Sequence, residues 1–188
     1  LSTIKGVFSY FYAFRDTTNG FFSVMMGILK TIFDDFVEQL KAQERSEWTE
    51  SILEDHMEFL LVQLCHRYVI LQDLALRYIC LLLESFPFLK TNAYCLNVLM
   101  KCLLTIKINL GPIEGMPVTL DTKELRVLKN DSPLHYILML PLRSDELNDL
   151  YAKVKQVLSI WMQCENTGFE EEILITIQKC VRRVRLHT

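Results

Sequence analysis

His56, Cys65 and His66 all fall within residues 56–66, HMEFLLVQLCH, in a chain that holds only four histidines. Imidazole and thiolate are the usual ligands of zinc, and a Cys/His pair serves as nucleophile and base in covalent catalysis. Both chemistries need side chains that converge. On a helix, positions ten apart differ by about 1000° of rotation, which leaves His56 and His66 roughly 80° apart around the axis and about 15 Å apart along it. Cys65 falls on the side opposite His56, and the adjacent Cys65 and His66 diverge by about 100°. Local spacing therefore builds neither a metal site nor a catalytic pair. His135 or His187 would have to be recruited by the fold, and no sequence signal points to that.

Other chemistry-bearing patterns are also weak. The chain has no Gly-x-Ser-x-Gly elbow, no Gly-rich phosphate loop and no H-E-x-x-H element. Asp34-Asp35 and Glu170-Glu171-Glu172 lie on strongly helical stretches, where they read as a solvated face or as first-turn charges that complement the helix dipole. The basic end, Lys179-x-x-Arg182-Arg183-x-Arg185, is explained by the same dipole at a helix C-terminus, and as a patch for anionic lipid it would be modest. No catalytic, cofactor-binding or metal-binding residue is assigned.

The elements that carry these residues are helices. A first helical pattern holds Ile4, Val7, Phe8 and Phe11 and breaks at Asp16-Thr17-Thr18-Asn19-Gly20. A long helix is expected over Phe21 to Gln43, with Val24, Ile28, Ile32, Phe36 and Leu40 recurring at helical spacing. Ser46 and Ser51 both offer N-caps to the next helix, and Ser51-x-x-Glu54 fits a capping box. That helix carries HMEFLLVQLCH to about Tyr68, with Phe59 expected deep in its packed face. An almost wholly apolar helix, Leu71 to Phe86, is stopped by Pro87. Another covers Asn92 to Ile108. Gly111-Pro112, Gly115, Pro117, Asn130-Asp131, Pro133 and Pro141 mark 110–143 as an irregular connection, with a short helix near Thr122 to Leu128 and an extended piece at Tyr136 to Leu140. Two helices close the chain, from Ser144 to Cys164 and, behind the capping box Thr167-x-x-Glu170, to about Arg185.

The expected architecture is all-α, a single helical domain over 1–188 built of antiparallel helix pairs. Pairs of this length match an α-solenoid segment of the HEAT or armadillo type, with a compact bundle as the alternative, since no repeat of fixed period is visible. A hydrophobic content of 51% excludes disorder, and a net charge of -3 gives no electrostatic case for nucleic acid. No signal peptide and no apolar run of about 20 residues is present. Cys65, Cys80, Cys95, Cys102, Cys164 and Cys180 form no C-x-x-C pair and sit in apolar helical contexts, which reads as reduced core thiols and a cytosolic compartment. The opening Leu1-Ser2-Thr3, already leading into a helical pattern, is expected to lie inside a larger protein.

The run His56-x-x-Phe59-Leu60-Leu61-Val62, followed by His66, Ala75, Tyr78, Leu82 and Phe86-Pro87-x-Leu89, resembles the helical region of the type III alpha phosphatidylinositol 4-kinase family. A second match follows, where Tyr136-x-x-x-x-Pro141 leads into a long helix. One departure is Val69-Ile70-Leu71-Gln72-Asp73, which stands where that family carries a basic run. The resemblance implies a scaffold segment upstream of a lipid-kinase domain that makes phosphatidylinositol 4-phosphate from ATP at the plasma membrane. ATP and magnesium would belong to that downstream domain, because this chain has neither the catalytic-loop Asp…Asn pattern nor an Asp-Phe-Gly motif. Implied partners are other parts of the same large chain, a second copy, and a tetratricopeptide scaffold with a hyccin-type protein. Contact with the membrane would come only through that complex. An unrelated HEAT-like scaffold from a trafficking or transport protein is the alternative.

Overall fold

The computed structural model describes residues 4–13, 20–66, 68–109 and 144–163, together with 171, 174, 175 and 178. Helices and their turns account for this structure, and no strand occurs among the described residues. The helices are α1 (Ile4–Ala13), α2 (Gly20–Lys41), α3 (Glu47–Leu64), α4 (Val69–Ser85), α5 (Ala93–Asn109) and α6 (Ser144–Met162). A 3-10 turn, Pro87–Thr91, joins α4 to α5. The expected irregular connection over 110–143, the thiols of Cys164 and Cys180, and the basic run 179–185 lie outside the described residues. The chain divides into two compact units, Leu1–Phe59 and Leu60–Thr188, with the boundary inside α3.

In the first unit, α1 packs on α2 and buries Ile4, Val7, Phe8 and Phe11, the i, i+3, i+4, i+7 stripe of an amphipathic helix. The buried face of α2 differs from the expected one. It consists of Met25, Leu29, Phe33, Phe36, Val37 and Leu40, whereas Val24 and Ile28 are exposed. The reason is geometric. A strict step of four advances about 400°, so the series from Val24 to Leu40 precesses by roughly 160° and ends on the opposite face. A step of three, from Phe33 to Phe36 or from Val37 to Leu40, resets that drift and keeps Met25 through Leu40 on one side.

The start of α3 also departs from expectation. Ser46 is the cap: its Oγ accepts from the Thr49 N–H at 3.3 Å, while Thr49 Oγ1 accepts from the Ser46 N–H at 2.8 Å. This is a reciprocal capping box with threonine in place of the acidic partner. Ser51 lies within the helix, on its exposed side. At the other end α3 stops at Leu64, short of Tyr68. The Cys65 and His66 N–H groups donate to the carbonyls of Val62 and Gln63 in a tightened last turn. The His66 ring then accepts the Tyr68 N–H at 3.1 Å, so the chain turns one helical turn earlier than the apolar run implied.

In the second unit, α4 buries Leu71, Leu74, Ala75, Tyr78, Ile79, Leu82 and Leu83, while Val69, Asp73, Arg77 and Glu84 remain exposed. Phe86 leaves the helical region with φ -133 and ψ 75, as the residue before a proline must, and Pro87 opens the 3-10 turn. The Asn92 side chain accepts the Cys95 N–H at 2.9 Å and starts α5. α6 packs on both α4 and α5 and buries Leu147, Leu150, Val154, Val157 and Trp161. Each aliphatic side chain so buried contributes about 1.5–3 kcal/mol.

Candidate functional site

The residues with the strongest chemical signal fall in different units: His56 in the first, Cys65 and His66 in the second. Among the described residues, no group of three or more His, Cys, Asp or Glu comes together in a way that could hold a metal ion.

His56 is buried, at 7% exposure, more deeply than Phe59, which is half-buried. The expectation that Phe59 would lie deep in the core is corrected: the wholly enclosed side chains of α3 are Leu53, Met57, Leu60, Leu61 and Leu64. Phe59 instead lies edge-on to Phe8 of α1, with centroids 5.4 Å apart, and carries the Lys5 ammonium 5.9 Å from its ring centre. One turn back on the same face, the His56 ring lies 4.5 Å from that of Phe36 on α2. His56 Nδ1 is 2.7 Å from the carbonyl of Ile52. A carbonyl only accepts, so Nδ1 carries the proton and Nε2 presents a lone pair. Burial lowers the affinity of the ring for a second proton, the Ile52 hydrogen bond opposes that shift, and Lys5 reinforces it.

Cys65 and Cys102 form a second buried pair. A hydrogen bond to Cys102 comes first, followed by burial, in pushing the Cys65 thiol well above its ordinary range. Burial also raises the Cys80 thiol, with Glu84 adding to the effect. A nucleophilic cysteine needs the opposite, a thiolate stabilised by cationic surroundings. None of Cys65, Cys80, Cys95 and Cys102 is joined in a disulfide.

Two polar clamps fasten α6. Lys153 donates to the buried Gln72 side-chain oxygen at 3.0 Å and pairs with Asp73. Gln72 in turn donates to the His66 carbonyl at 2.7 Å, linking α6 through α4 to the turn after α3. Farther along, the Trp161 indole N–H donates to the Lys90 carbonyl at 2.7 Å, and Lys90 Nζ donates to the Gln163 carbonyl at 2.7 Å. Motif reasoning passed over Trp161 and Lys153. The available signal was periodicity: Leu150, Val154, Val157 and Trp161 share one face, and a buried indole requires an acceptor. These contacts position helices and bring no nucleophile to a base.

The remaining surface feature is apolar. Phe21, Val24 and Ile28 lie at i, i+3, i+7 on α2 with exposures of 45%, 57% and 44%. A Cβ added at Gly20 or Gly27 would meet nothing within 4 Å, so this part of the helix surface is low and open.

The architecture thus defines a helical packing domain whose conspicuous surface feature is an apolar helix face. Residues 1–164 match the family model of the PI4-kinase N-terminal region, and the chain belongs to that family. No curated protein and no solved structure matches the chain. The family match sets aside the alternative of an unrelated trafficking or transport scaffold. No helix among the described residues is long and apolar enough to cross a membrane.

Proposed function

We propose that this chain is a non-catalytic helical scaffold segment of a phosphatidylinositol 4-kinase, the enzyme class that phosphorylates phosphatidylinositol to phosphatidylinositol 4-phosphate with ATP. The carrying observation is the family match over residues 1–164, in a chain whose described elements are all helical. In this reading the helices stack as an α-solenoid segment, and the Phe21, Val24 and Ile28 face seats a neighbouring helix of the same large chain or of a second copy. The segment supports assembly and dimerisation, together with a tetratricopeptide scaffold and a hyccin-type partner. It reaches the cytoplasmic side of the plasma membrane through that complex, and ATP and magnesium bind elsewhere in the parent.

The test is the double substitution Val24→Asp with Ile28→Asp in the full-length kinase. Both side chains are exposed on α2, so the helix should persist. Recovery of a differently tagged second copy, or of the tetratricopeptide partner, should fall at least tenfold. Phosphorylation of phosphatidylinositol in detergent micelles should stay within twofold of wild type. Unchanged recovery of both partners would overturn the scaffold reading, as would lost micellar activity in an intact assembly.

A further inference from the structure

Among the described residues, the one fully buried side-chain nitrogen or oxygen without a hydrogen-bond partner is His56 Nε2. Its surroundings come from three helices. α2 contributes the Phe36 ring, α1 contributes the Lys5 cation, and α3 itself contributes the Ile52 carbonyl and the exposed Asp55 carboxylate. The neutral ring suits this place, because its one N–H is satisfied and a bare lone pair is a tolerable burial. A proton on Nε2 changes the balance. It creates a buried N–H that has no acceptor and a charge beside an aromatic ring, with a second cation acting on it from α1. The tilted Phe36 face returns some cation–π attraction, but less than the cost of removing an unpaired ion from water.

We infer that His56 makes the first unit a proton-operated joint, in which the neutral imidazole holds α2 against α3 and protonation at Nε2 releases that contact. The direction follows from linkage. Burial holds the folded-state ring below its ordinary value of 6.5, so an opened first unit takes up the proton before the closed one does. Above that value the closed state is at full stability. As pH falls through it, the opening constant rises by up to about tenfold per pH unit, until the closed form also protonates.

Hydrogen exchange of the 188-residue chain, corrected for the intrinsic pH dependence, tests this between about pH 7.5 and 5.5, above the carboxylate range. Peptides from α2 and residues 47–59 should show opening that increases several-fold, while peptides from α5 and α6 stay within twofold. His56→Leu and His56→Gln should flatten the response of the first unit. Carbon NMR of the labelled imidazole in the wild-type chain should place the His56 titration below 6.5, and this readout does not depend on either variant folding. A wild-type first unit indifferent to this pH change would overturn the inference. So would a response that survives in both variants, or a His56 that titrates at or above its ordinary value.

Discussion

Trp161 offers the sharpest test of how α6 is held. Its side chain is fully enclosed, and its indole N–H reaches the Lys90 carbonyl at 2.7 Å. Trp161→Phe keeps a ring in the site but removes the donor. A net hydrogen bond contributes about 1 kcal/mol, and a carbonyl left without its donor costs about 1–3 kcal/mol, so the expected loss is about 2 kcal/mol. Trp161→Ala removes the ring as well and should cost about 3–5 kcal/mol, the range for emptying a large aromatic site. Urea unfolding followed by far-UV circular dichroism would measure both. The m-value should be unchanged in Trp161→Phe, since the surface exposed on unfolding is nearly the same. If Trp161→Phe falls within about 0.5 kcal/mol of wild type, the Lys90 bond does not contribute as argued. If Trp161→Ala is no worse than Trp161→Phe, the site is not packed as described.

Lys153→Met should cost about 1–2 kcal/mol in the same assay, because it strips the buried Gln72 oxygen of its donor. Asp73→Asn, on the exposed side of the same clamp, should cost less than about 1 kcal/mol; the reverse order would mean that the ion pair dominates. Ser46→Ala should lower stability by about 1 kcal/mol through loss of the α3 cap, whereas Ser51→Ala should be close to neutral. Alkylation mapped by mass spectrometry should leave Cys65, Cys95 and Cys102 unmodified until the chain unfolds, with Cys80 modified earlier. Rapid native labelling of Cys65 would contradict its burial and raised thiol pKa.

Helix order was legible because period and punctuation agreed: Pro87 ended α4, Asn92 opened α5, and Asp145 and Glu146 marked the first turn of α6. Register was harder. On α2 the apolar residues run nearly all around the N-terminal half, so Val24 and Ile28 could be assigned to the core only by ignoring the 40° drift of each four-residue step. The choice between Ser46 and Ser51 turned on Thr49, whose hydroxyl replaces the acidic partner that the capping-box pattern seeks. For the histidines, helical spacing was applied past the end of α3, since His66 lies in the turn beyond Leu64. It could not reveal that His56 would be enclosed and Phe59 left half-open. That depends on which helix meets each side chain, and Phe36 and Phe8 are distant in sequence. The clamps of α6 were illegible for the same reason: Lys153 with Gln72, and Trp161 with Lys90, are contacts between residues more than seventy positions apart.

The two clamps also bear on how freely evolution can edit the chain. α5 ends at Asn109 and α6 begins at Ser144, and the two helices pack on each other. Both anchor points of the intervening stretch are therefore set by contacts that do not involve its own sequence. Joining two fixed ends by a chain of twice the length costs only about 0.6 kcal/mol, less than a single lost clamp. The seat of α6 is thus set by α4, α5 and the turn between them, through residues that all lie outside 110–143. A chain cut between Asn109 and Ser144 would leave α6 joined to α4 and α5 without a covalent link, by packing and by the Lys153 and Trp161 clamps.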